Sequence, residues 1–416
     1  MELAHHAPPG PAEMLRRIDG LRSRDDWGAI VALADRLPSE LDAAWEPVAG
    51  EIAFALGQRK RFGEAIAILE RCFAIVPAPR RASALAYLHY AALLEAASPE
   101  RRRGARGDRG RGERDAHGRE ALEKGFRRWI GVALDLSPAS IKDLYRLGVF
   151  EAQIESAHDK VALRAFLAAI RAFEALPGDE REARGDLRKA YVRSLYAAAR
   201  SALRLGQAPL ARRLSFACVR EDQDRDYLEP VHKLGQAAKV CLATGEIDLA
   251  ERAARKAIDA KGPPRRDHLY GVLAEVARRR GLHDDGVTWI ERNVPAHRRS
   301  AALFRQLGDL HRDAGRADAA LAAWRSSLDR DRAGKHLTLV RIGRLLRAQG
   351  QLKEAERALR DALDFRRRKY LSDDPAALGE LAALLETRGR IDEARQVGLR
   401  LARCGKPAEA RREGVA

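Results

Sequence analysis

Apolar residues in this chain return at three- and four-residue spacing in short blocks, and the blocks come in pairs. The clearest pair runs from Phe304 through Leu307-Gly308, His311, Gly315 and Ala320 to Trp324 and Leu328. It reads as two short amphipathic helices joined at D-A-G-R-A-D. The series recurs without a gap at Leu339, Ile342-Gly343, Leu346, Gly350, Ala355, Leu359 and Leu363. A third copy follows at Leu378, Leu381, Leu385, Gly389 and Ala394, after an insertion from Arg368 to Asp374. Upstream, the turn glycine and the small residue after it recur as Gly281/Gly286, Gly245/Ala250 and Gly206/Ala211. Six units therefore lie between about Val192 and Ala402.

Both recurring residues have a physical reason. The glycine gives the turn a left-handed or otherwise permissive backbone, which a side chain would strain. The small residue sits where the second helix crosses the first closely, and enlarging it costs about 1–3 kcal/mol by overpacking. The N-terminal half repeats less regularly. Glu51 to Pro77 fits one unit through Ile52, Leu56, Ala65, Leu69, Cys72 and Phe73, and Asp143 to Pro177 fits another. Trp27 to Pro38 reads as the second helix of an earlier unit. Helices over Arg81 to Ala97 and Glu120 to Leu136 read as one unit split by a loop, Ser98 to Arg119.

The paired pattern resembles the tetratricopeptide repeat, in which W-x2-L-G-x2-Y, A-x3-F and a final P describe a helix-turn-helix of 34 residues. The stretch G-R-I-D-E-A, Gly389 to Ala394, is close to what that family shows at its turn. The resemblance implies an all-α chain, a right-handed α-solenoid of stacked helix-turn-helix repeats, and a scaffold of bacterial type. It divides the chain into a flexible tail over 1–18, degenerate repeats over 19–190, six clearer repeats over 191–404 and a C-terminal tail over 405–416.

Composition changes this picture little. Aromatic residues are 6% of the 416 and the bulk is Ala, Leu, Arg and Glu, which favour helix. No run of 18 apolar residues and no basic-then-apolar leader is present, so a cytoplasmic protein without a membrane span is expected. The cysteines, Cys72, Cys218, Cys241 and Cys404, form no C-x-x-C; the first three fall at packed repeat positions. No metal, cofactor or small-molecule substrate is expected, since H-E-x-x-H, G-K-[ST] and G-x-S-x-G are all missing.

Charge adds more. The net charge is +17, and residues 1–100 hold 11 basic against 14 acidic residues, so the excess lies downstream. The stretch Arg101 to Gly118 carries seven arginines, three acids and five glycines. It is expected to be a disordered insertion at about 99–119, neither helix nor strand, and Arg101, Arg102, Arg103, Arg106, Arg109 and Arg111 are candidate contacts to an anionic partner. Arg366 to Tyr370, R-R-R-K-Y, reads as a basic helix end that complements the dipole.

In arrays that this one resembles, the first helix of each unit lines the concave surface. The exposed stripe of those helices reads Arg193, Tyr196 and Arg200; His232, Gln236 and Lys239; Glu275 and Arg278; Arg305, Gln306 and Arg312; Arg341, Arg344 and Arg347. The groove should be basic. Arg341, Arg344 and Arg347 share one side of a helix and, unpaired, would repel one another until an anion bound, unless Asp309 and Asp313 on the neighbouring helix balance them. The expected function is a non-enzymatic scaffold that binds an acidic peptide or protein segment. The alternative is RNA or DNA binding along the same surface, helped by the arginine-glycine stretch.

Overall fold

The computed structural model describes residues 9–96, 109–154, 158–260 and 266–404, and every regular element among them is helical. The chain forms two compact units, Met1–Gln207 and Ala208–Ala416. The first holds α1 (Pro11–Arg22), α2 (Trp27–Val31), α3 (Glu46–Gln58), α4 (Phe62–Ile75), α5 (Pro79–Ala96), α6 (Arg109–Leu136), α7 (Ile141–Ile154), α8 (Asp159–Glu174), α9 (Gly178–Ala183) and α10 (Gly185–Arg204). The second begins with α11 (Ala208–Glu221). Five pairs follow: α12 (Pro230–Ala243) with α13 (Ile247–Asp259), α14 (Asp267–Arg279) with α15 (His283–Asn293), α16 (Ala301–Asp313) with α17 (Ala317–Arg330), α18 (Lys335–Ala348) with α19 (Leu352–Tyr370), and α20 (Pro375–Thr387) with α21 (Ile391–Cys404). Within each pair the two helices pack on one another, and each second helix also packs on the next first helix. This is an α-solenoid arrangement of helix-turn-helix repeats.

The turns are built alike. Gly206, Gly245, Gly281, Gly315, Gly350 and Gly389 all have φ between 73° and 82°. In each, the amide after the glycine reaches back to the fifth carbonyl before it at 2.8–2.9 Å, from Gln207 to Ala202 through to Arg390 to Leu385. This is the Schellman closure of a helix C-terminus. Lys60 (φ 61°) and Asp25 (φ 54°) do the same job in the first unit, closing through Arg61 to Leu56 and Asp26 to Leu21. The repeat thus extends into a region where no glycine marks it.

The small residues after the turns are buried: Ala211, Ala250, Ala320 and Ala355 are 0% exposed and Ala394 4%. Cys72, Cys218 and Cys241 are buried as their repeat positions require. Burial pushes the Cys72 thiol up to about 11 and the Cys218 thiol up to about 12, so both stay protonated and unreactive.

Two expectations are corrected. Residues 11–18 are not a tail: Pro11 opens α1, and Met14 and Ile18 at helical spacing are buried. Nor is all of the arginine-glycine stretch non-helical, because α6 begins at Arg109 rather than Glu120. Extending a helix already held by buried Phe126, Trp129 and Ile130 needs no new nucleus, so Arg and Glu carry it through glycines that each cost about 1 kcal/mol. Arg101 to Asp108 and the C-terminal tail lie outside the described residues.

Candidate functional site

In the second unit the first helices bury one stripe against their own repeat and leave another for charge. Arg341 on α18 donates through Nε to Asp309 Oδ1 on α16 at 2.9 Å and through Nη1 to the Leu337 carbonyl at 2.8 Å. Arg344 donates through Nε to Glu380 Oε1 on α20 at 2.7 Å, and Arg347 Nη2 lies 3.0 Å from the other oxygen of that carboxylate. Arg278 on α14 bonds Glu275 on its own helix at 2.8 Å and Asp313 on α16 at 3.0 Å. Arg312 donates to the same Asp313 at 2.6 Å.

Of the two readings of this series, unpaired or balanced, the balanced one describes the structure: Arg341, Arg344 and Arg347 each have a carboxylate. The partners Asp309 and Asp313 were legible as balancing charges, whereas Glu380 sits on the following repeat and relieves two arginines at once. Burial pushes the carboxyls of Glu275 and Asp313 up, but hydrogen bonds from Arg278, with Arg279 or Arg312, outweigh it and hold both below the usual range. These are partly exposed pairs, individually weak and exchangeable. Each occupies only part of a five-donor guanidinium.

Between α14, α16, α18 and the start of α20 lies a cleft of about 240 Å³. Arg278, Arg312, Arg341 and Arg344 line it together with Asp309 and Asp374. Its apolar wall is Leu337, Val340 and Ala376. Asp374 is fixed by capping α20, accepting from the amides of Ala376 and Ala377 at 2.9 and 3.1 Å.

Four of the stripe residues thus meet at one place. The others do not join them. Arg305 is turned to Asp331, which is itself held by the Ala333 and Gly334 amides. Gln306 donates to the Gly271 carbonyl at 2.9 Å, inside the packing between repeats, and Gln236 is buried at 6% exposure. These two side chains are consequently not open groove surface. His232 and Lys239 are exposed on α12. Arg193, Tyr196 and Arg200 belong to the first unit, where the Arg200 guanidinium lies 5.9 Å from the Tyr196 ring centre. Arg109 and Arg111 fall within α6.

Sequence reasoning missed Leu337, Val340, Asp374 and Ala376. Leu337 was detectable: with the repeats aligned on their turn glycines it stands where the neighbouring repeats have Ala302 and Ala376. Among the described residues, no group of three or more His, Cys, Asp or Glu could hold a metal ion, and no helix is long and apolar enough to cross a membrane.

The family model of the tetratricopeptide repeat matches residues 337–376, the repeat that carries the arginine series. The chain is a helical-repeat protein of the tetratricopeptide type. Its fold is similar to that of a tetratricopeptide repeat protein from Parabacteroides merdae, at 14% identity over 64% of this chain and 93% of that one, with a TM-score of 0.50. PilF of Pseudomonas aeruginosa is similar at 12% identity over 60% and 92% of the two chains, with a TM-score of 0.40. YrrB, a tetratricopeptide protein described as having an unusual peptide-binding site, is similar at 12% identity over 50% and 95%, with a TM-score of 0.33. No curated protein matches the sequence. A tetratricopeptide array of this kind is in general a non-catalytic scaffold for protein–protein interaction.

Proposed function

We propose that this tetratricopeptide array is a non-enzymatic adaptor, and that the first-helix face of its second unit binds an acidic segment of a protein partner at the cleft between α16 and α18. The observation that carries the reading is the convergence of Arg278, Arg312, Arg341 and Arg344 on that cleft. Against them the lining offers two carboxylates, Asp309 and Asp374. A ligand carboxylate gains charge-assisted hydrogen bonds from guanidinium edges that the internal pairs leave open. The net charge of +17 would speed its approach and make capture sensitive to salt.

The internal pairs dictate how this is tested. Reversing the arginines to Glu would set like charges against Asp309 and Glu380, so the neutral variant Arg341→Gln/Arg344→Gln/Arg347→Gln is the cleaner probe. With a fluorescein-labelled oligoglutamate, anisotropy should show at least tenfold weaker binding by the variant at about 50 mM salt, with an unchanged helical circular dichroism spectrum. Equal binding by the two proteins means the cleft is not the site. Generic single-stranded RNA in the same titration tests the alternative: if it binds more tightly than the oligoglutamate, a nucleic-acid ligand replaces the protein one.

A further inference from the structure

We infer that the segment held at this cleft carries one large aliphatic side chain, seated on Leu337, Val340 and Ala376, with carboxylates two positions to either side. The inference rests on the acidic-segment reading and adds what the ligand must present between its charges. Leu337 is 43% exposed. Among the described residues of the second unit it is the one large hydrophobic side chain exposed on a first helix; Phe216, Leu282, Ile391 and Leu399 lie on second helices or a turn, and Tyr370 and Leu371 at the insertion. It also lines the cleft on that face, and Val340 and Ala376 continue the apolar wall beside it.

The size of the cleft limits what fits. At about 240 Å³ it is smaller than the clefts of about 300–1,000 Å³ that take drug-sized ligands, so it suits a side chain rather than a cofactor or a helix. The charges around it select the sequence context. In an extended segment residues i and i±2 share a face, with a rise of about 3.3 Å per residue. An apolar residue on the Leu337 wall therefore turns the side chains two positions away to the same face, within the cleft that Arg312 and Arg344 also line. Interfaces of this form draw affinity from a desolvated central anchor and partner choice from the charged rim.

The test uses the full chain and three labelled, end-capped peptides, Glu-Ser-Leu-Ser-Glu, Glu-Ser-Ala-Ser-Glu and Lys-Ser-Leu-Ser-Lys, read by anisotropy. The leucine peptide should bind about tenfold more tightly than its alanine counterpart. That advantage should shrink to within about twofold on Leu337→Ser and persist on Leu337→Met. Leu337 is exposed, so neither variant should alter the thermal unfolding midpoint, and that midpoint is measured alongside. If the two glutamate peptides bind alike and both exceed the lysine peptide, the acidic-segment reading stands and the anchor is refuted. An advantage that survives Leu337→Ser refutes it too, because the leucine then sits elsewhere. If the lysine peptide binds as well as the glutamate peptides, the acidic-segment reading fails and the anchor falls with it.

Discussion

Single residues set the geometry of each repeat. Gly308 lets α17 approach α16 so closely that a Cβ there would lie 2.3 Å from the indole of Trp324, which is 0% exposed and donates from Nε1 to the Arg305 carbonyl at 3.1 Å. A rigid buried ring cannot move aside. Gly308→Ala should lower stability by about 1–3 kcal/mol, measured by urea unfolding. Leu371 presents the opposite case. It ends α19 with φ 49° and 93% of its surface exposed, a left-handed conformation that glycine adopts without cost. Leu371→Gly should therefore leave stability unchanged or raise it by about 1 kcal/mol, and a loss of 1 kcal/mol would contradict this. The glycines were legible because their period announces them. Lys60 and Asp25 hold the same backbone without the residue type that signals it, and the N-terminal turns were read less well for that reason.

At the scale of the element, helices are joined across repeats by ion pairs whose sequence separations echo the repeat itself. Arg341 and Asp309 are 32 residues apart, Arg278 and Asp313 35, and Arg344 and Glu380 36. That spacing is present in the sequence and makes Asp309 and Asp313 legible as balancing charges, whereas Glu380, on the repeat beyond the insertion, is not legible as the partner of Arg344 and Arg347. The composition of the arginine-glycine stretch likewise conceals that, from Arg109 on, it continues the helix it adjoins. One pair is fully enclosed: Lys233 on α12 donates to Asp222 Oδ2 at 3.0 Å, and Asp222, 0% exposed, also accepts from the Tyr227 and Leu228 amides. Asp222→Ala should cost about 3–5 kcal/mol in chemical unfolding, because it strands a buried ammonium and two amides. A cost under 1 kcal/mol would show that the pair does not hold the α11–α12 connection.

For the molecule as a whole, protonation links the packing to solution conditions. Burial lowers His89, His311 and His336 below their ordinary value, and a neighbouring arginine adds to this at each. The unfolded chain then binds protons more readily than the folded one, so stability is full above the ordinary histidine value of about 6.5 and falls as pH drops below it. The thermal midpoint should be lower at about pH 5 than at pH 7.5, and a flat profile over that interval would contradict the assignment. The helical-repeat architecture was readable from periodicity because every unit solves the same packing problem. Net charge, by contrast, says nothing about which arginines are paired. The most direct measurement of the central claim is the affinity of Glu380→Gln for the labelled oligoglutamate. Removing that carboxylate frees Arg344 and Arg347, so binding should tighten by about threefold or more, a gain that misfolding could not imitate. Unchanged or weaker binding would contradict the account.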